Sequence, residues 1–160
     1  MGMAEGTDYP VPGDEDDPRF RFFWDFWNSR RTDGRLPPRA ILDPLDLRPV
    51  LGNLNIIAVE RDGDRLHFVY RLWGTRIAAI YGCDLTGKYL GDAATGDGQP
   101  AARAVHEEVA RTGRPHYWRR PLPLAHRGYV GYRRLLLPFA KDGETVDHLV
   151  ALLIGDEVPR

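Results

Sequence analysis

The chain has 160 residues, 42% of them apolar, 28% charged and 11% aromatic, with a net charge of −1. That is enough for one compact domain with a real core and too little for two. The balanced charge supplies no general pull toward nucleic acid or an anionic membrane, and a single cysteine, Cys83, excludes a disulfide framework or a multi-thiolate metal site.

Residues 1–17 read as an acidic tail, with Glu5, Asp8 and Asp14–Asp17 and no basic residue. Without apolar periodicity it is expected to be flexible. Asp17-Pro18 then gives an N-cap followed by proline at the first helical position, and a helix is predicted from Pro18 to about Arg31. Phe20, Phe23, Trp24 and Trp27 follow one helical face, and Phe22 and Phe26 add a second apolar stripe. A helix apolar over most of its circumference must be covered on more than one side. Asp33-Gly34 ends it.

Four prolines in RLPPRAILDPLDLRPVLGNL forbid a long helix, although Leu45–Leu51 suits a short turn. Asn53–Arg61 and Leu66–Trp73 are β-branched and aromatic, and Asp62-Gly63-Asp64 between them signals a hairpin. After Gly74, Thr75 can cap a short helix in which Ile77, Ile80 and Tyr81 share a face, with Gly82 ending it. Asp84–Gly98 reads as loop and Pro100–Thr112 as a helix closed by Gly113. Three strands are expected at His116–Pro121, Tyr129–Phe139 and Val146–Ile154, the last two joined at Lys141–Glu144. Runs such as NIIAV and LVALLI alternate poorly, which implies burial on both sheet faces. The expected class is α+β: a five-stranded antiparallel sheet with short helices on one face and the aromatic helix on or beside the other.

Chemical motifs are sparse. Gly96-x-Gly98-x-x-Ala101 matches a dinucleotide fingerprint only superficially, because no strand precedes it and Pro100 removes a backbone donor. His106-Glu107-Glu108-Val109-Ala110 resembles a metalloprotease helix but carries Ala where the second zinc ligand must be. His67, His116, His126 and His148 are dispersed, and Asp46, Asp84 and Asp92 have no base beside them and suit caps or turns. There is no Gly-x-Ser-x-Gly elbow and no phosphate loop. The arginines, twenty against two lysines, are scattered from Arg19 to Arg160 in the manner of GC-rich codon usage.

The informative stretch is Tyr70-Arg71-Leu72-Trp73-Gly74-Thr75 followed by Tyr81-Gly82-Cys83-Asp84-Leu85-Thr86-Gly87. A strand ending in glycine, a two-turn helix and a further Thr-Gly turn resemble the PAS domain. More closely, LPPRAILDPLDL, RLWGT and YRRLLLPF in this order resemble a bacterial subfamily of small stand-alone PAS proteins, over Leu36–Ile154. The resemblance implies sensing or protein interaction and brings no catalytic residues with it. In flavin-binding relatives a reactive cysteine follows a Gly-Arg-Asn segment. Aligned on Gly87-Lys88-Tyr89-Leu90, that position is Leu90, while Cys83 lies earlier. A haem would need an axial ligand from the helical middle, where the one histidine is His106. The cofactor is left unknown.

A ligand, if one binds, is expected between the sheet and the middle helices. Arg71, Trp73, Tyr81, His116, Tyr132 and Arg134 are candidate lining, since a core-facing polar group needs a partner or a ligand. Period two leaves open whether Arg71 and Trp73 or Tyr70 and Leu72 face that site. The domain order is then tail 1–17, aromatic helix 18–34 and PAS-like domain 35–156. The expected partners are an unidentified small molecule or a signalling protein, with a homodimer formed through the 18–31 helix, because six aromatics present more apolar surface than one sheet face covers. The rival readings are a small cone-shaped isomerase or hydratase, for which Tyr81 with His116 is the best acid–base pair, and a pure protein adaptor. The start MGMAEGTDYP has neither part of a secretory signal, and the expected location is the cytoplasm.

Overall fold

The computed structural model describes residues 17–91, 100–120 and 129–157. Residues 1–16 of the acidic tail, the Gly96–Gly98 motif, Asp92 and His126 lie outside them. The element order is α1 (Pro18–Ser29), two single-turn 3-10 helices (Arg39–Ile41 and Leu51–Asn53), β1 (Leu54–Asp62), β2 (Arg65–Trp73), α2 (Thr75–Tyr81), α3 (Pro100–Thr112), β3 (His116–Arg120), β4 (Tyr129–Phe139) and β5 (His148–Glu157). The strands form one antiparallel sheet in the order β2-β1-β5-β4-β3, as expected. Glycine supplies the positive φ that the turns require: Gly63 has φ 59° between β1 and β2, and Gly143 has φ 83° between β4 and β5.

Every residue from Leu135 to Ala140 and from Leu149 to Ile154 is buried, so the central ladder is covered on both faces. That is why these strands do not alternate in sequence. α1 covers one face. Asp17 caps it by accepting from the Arg19 amide at 3.0 Å, and Phe20 meets Tyr117 of β3 edge-on at 5.3 Å. Trp27 Nε1 donates to the Pro138 carbonyl of β4 at 2.8 Å, so the one polar atom of this large side chain is satisfied. α2 and α3 cover the opposite face.

The second aromatic stripe finds cover within the chain. Phe26 is buried and Phe22 half-buried. The Arg30 guanidinium lies 3.6 Å from the Phe26 ring centroid and 3.8 Å from Asp46, which brings the 43–50 turn against this side of the helix. The side chains that α1 exposes include Arg21, Asp25 and Asn28, a polar stripe. The apolar area that motivated a homodimer is therefore mostly spent inside one protomer.

Two local expectations need correction. Thr75 does not cap α2: Gly74 is the N-cap, and it has no side chain to bond the first amides. The reason lies in packing. A Cβ on Gly74 would run into the backbone carbonyls of Gly52 and Leu54, so the chain can cross there only as glycine. Arg71 is likewise not a regular member of β2. Ile57 pairs with Tyr70 and Ile56 with Leu72, leaving Arg71 as the extra residue of a bulge.

Gly74→Ala is expected to destabilise the domain by about 1–3 kcal/mol, the usual cost of forcing atoms into a packed site, although its φ of −58° suits alanine. Urea unfolding checks this; an unchanged midpoint would mean that the crossing is looser than the contacts indicate.

Candidate functional site

Directly opposed residues in an antiparallel sheet point to the same face. One row runs Trp73, Asn55, Ala151, Leu136, His116 across all five strands, and the neighbouring row includes Leu153, Arg134 and Trp118. This is the face under α2 and α3, and it carries the buried polar groups Asn55, Arg134 and, from α3, His106. The α1 face is built differently: Leu135, Leu137, Phe139, Val150 and Leu152 are fully buried there without a polar atom in their side chains.

The six expected lining residues divide into three groups. Trp73 and Tyr81 meet at 5.6 Å on the β2–α2 side, with Tyr70 edge-on to Trp73 at 4.9 Å. The bulge resolves the choice that period two left open: Tyr70 and Trp73 face inward together although three residues apart. His116, Tyr132 and Arg134 share the same sheet face at the β3–β4 end. Arg71 belongs to neither group, because it is exposed and lies 3.8 Å from Glu60.

Two residues of the β3–β4 group were not expected from sequence. Trp118 lies beneath the Arg134 guanidinium, 4.1 Å from ring centroid to Cζ, a cation–π stack. His106 is 3% exposed, and its ring lies 5.7 Å from that of Phe68. Its Nδ1 is 2.7 Å from the Ala102 carbonyl. Since a carbonyl only accepts, Nδ1 carries the proton. Burial, then the positive charge of Arg134, pushes the His106 pKa down to about 3. The same two causes push His116 down to about 4. His116 Nδ1 and Trp73 Nε1 are buried without a hydrogen-bond partner among the described residues. Phe68 also lines a cleft of about 410 Å³ with Glu60, His67, Tyr89, Leu90 and Arg103, so this one ring touches both the cleft and the buried histidine.

The acid–base pair Tyr81–His116 does not form. Trp73, against which Tyr81 of α2 packs at 5.6 Å, and His116 stand on the two edge strands, four strand spacings or roughly 19 Å apart along the sheet. No hydrogen bond joins the two candidates among the described residues, and an imidazole with a pKa of about 4 is a weak general base at neutral pH. The described residues contain no group of three His, Cys, Asp or Glu that could hold a metal ion, and no described helix is long and apolar enough to cross a membrane.

The model of the PAS domain matches residues 16–154. The chain belongs to the PAS domain family. The match takes in α1 as well as the Leu36–Ile154 stretch that carries the resemblance in sequence, and it agrees with the five-stranded antiparallel sheet and its helices. PAS domains generally serve as sensory or signalling modules. No curated protein matches the sequence.

The depressed histidines set a direction for pH dependence. In the unfolded chain each binds a proton near pH 6.5, whereas in the folded PAS domain each stays neutral to a lower pH. Their contribution to stability is therefore complete above about pH 6.5 and is lost as pH falls toward 4 and then 3. The urea midpoint is expected to drop over that window, with a shallower drop in His106→Phe. A midpoint as high at pH 4.5 as at pH 7.5 would refute the assignment.

Proposed function

We propose that this PAS domain is a sensory module that binds a small molecule on the sheet face beneath α2 and α3. The observation that carries the reading is the unequal chemistry of the two faces. A sheet needing only structural cover has no use for buried polar side chains, each of which costs free energy unless it is matched. Yet Asn55, Trp73, His116 and Arg134 all project to one side, whereas the strand centres on the other carry Leu135, Leu137, Phe139, Val150 and Leu152, and the buried Asn53, which meets Arg19 of α1, is hydrogen-bonded at both polar atoms. The Trp118–Arg134 pair beside His116 suits a small ligand that is mainly apolar with one or two polar anchors, and Trp73–Tyr81 forms a separate aromatic group at the β2 end of the same face. An isomerase or hydratase role is disfavoured by the separation of Tyr81 from His116. The module is placed in the cytoplasm on this reading, with a signalling protein downstream.

Native mass spectrometry and an absorbance scan of freshly purified protein test the proposal. The expected result is a co-purified small molecule whose removal lowers Tm by several degrees, as mass action requires for a ligand of the folded state. A chain that carries nothing, and whose Tm no small-molecule panel raises, would favour the pure adaptor.

A further inference from the structure

Another cleft, of about 390 Å³, opens where the C-terminal ends of α1 and α3 meet the β4–β5 turn. Trp27, Leu36 and Pro115, all buried, give it an apolar lining. Two opposite charges, Arg31 and Glu144, also line it. The Arg31 guanidinium is held in place: Cζ lies 4.8 Å from the Trp27 ring centroid, and Nη2 donates to the Gly34 carbonyl at 3.0 Å. Its Nε is buried without a hydrogen-bond partner among the described residues, and no described carboxylate pairs with its charge. Glu144 is exposed. Its backbone amide donates to Asp142 at 2.9 Å, but its carboxylate has no ion pair or hydrogen bond among the described residues.

The two charges therefore share one cleft without answering each other. The end of α3, at Thr112 and Gly113, lines the cleft as well, and a helix C-terminus adds partial negative charge beside that of Glu144. Arg114, also in the lining, has an interaction of its own. A simple anion would answer Arg31 and be repelled by Glu144 and the helix end, and a simple cation would meet the reverse. A molecule that carries both charges satisfies both, and charge-assisted hydrogen bonds are the stronger kind.

We infer that this cleft binds a compact zwitterion of the α-amino acid type. Arg31 receives the carboxylate, and Glu144 with the end of α3 receives the ammonium. The lining of Trp27, Leu36 and Pro115 favours an apolar side chain. The site is independent of the one proposed beneath α2 and α3, and binding involves no covalent step.

Leucine, isocaproate and isoamylamine share a branched chain and carry both charges, the carboxylate alone and the ammonium alone. Each is titrated into the full chain and followed by the backbone amide resonances of Gly113 and Glu144 and the Nε–H resonance of Arg31. Leucine is expected to bind about tenfold more tightly than either analogue, each of which leaves one charge unanswered. Glu144→Gln should erase its advantage over isocaproate, and Arg31→Gln its advantage over isoamylamine. In the ligand-free protein the two substitutions should change the urea midpoint additively.

If isocaproate binds as tightly as leucine, the zwitterion is overturned in favour of a plain carboxylate. If none of the three moves these resonances at tens of millimolar, the cleft is not a site. Leucine that moves the Trp73 and Trp118 indole resonances instead would overturn this site and support the one beneath α2 and α3. Coupling between the two substitutions without ligand would mean that Arg31 and Glu144 pair with each other, which also overturns the inference. The ratios among the three probes are measured on the unaltered protein, so they decide the matter even if a variant does not fold.

Discussion

A sheet buried on both faces governs this structure. β4 and β5 offer no solvent side along Leu135–Ala140 and Leu149–Ile154, so the chain must supply two independent covers. It does so at opposite ends of the sequence order: α1, before any strand, closes one face, and α2 and α3, in the middle, close the other. A fully buried Leu or Phe contributes about 1.5–3 kcal/mol relative to exposure. Loss of α1 would therefore strip cover from several such residues at once, and the Trp27 indole bond to Pro138 ties that cover to the strand it protects. The aromatic helix is thus part of the domain's core. This agrees with the extent of the family match, which begins before it.

Division of labour between the faces follows. On the α1 side the strand centres are apolar, and the polar groups that do reach it are matched: Trp27 Nε1 by the Pro138 carbonyl, Asn53 by Arg19 and the Leu153 carbonyl, and Arg133 by Asp156. The helix side carries the buried polar groups, and their mutual influence is visible in the two histidines. His106 and His116 lose their proton affinity first through burial and then through Arg134. The cation thereby keeps its neighbours neutral.

The elements were legible in the sequence to within a residue or three because their boundaries are written in local chemistry: Asp17-Pro18 at a helix start, Gly82 and Gly113 at helix ends, Gly63 and Gly143 in hairpins. The α+β class and the double-sided burial followed from the lack of alternation in NIIAV and LVALLI. The site was read less completely. Arg71 was misplaced because period-two reasoning assumes an unbroken ladder, and no residue type in YRLW announces a bulge. His106 was weighed only as a failed zinc ligand or a haem ligand. Its position with Ala102, Val109 and Ala110 on one helical stripe was the signal that it faces inward. Trp118 was missed although it lies two residues from His116, the spacing that puts both on one face. The self-association argument counted aromatics correctly but gave too little weight to the proline-rich segment, whose Leu47 and Val50 are themselves core residues.

The bulge at Arg71 gives β2 a property that an even ladder lacks. Ordinarily, adding or removing one residue in a strand turns everything beyond it to the wrong face. Here the ladder already absorbs one surplus residue between Tyr70 and Leu72, and the surplus side chain lies in solvent beside Glu60. A chain one residue shorter at this point would keep Tyr70 paired with Ile57 and Trp73 with Asn55, and both rings would still face inward. The strand therefore has a length tolerance placed immediately ahead of its most crowded junction, where Gly74 passes under Gly52 and no alteration of the backbone is sterically free.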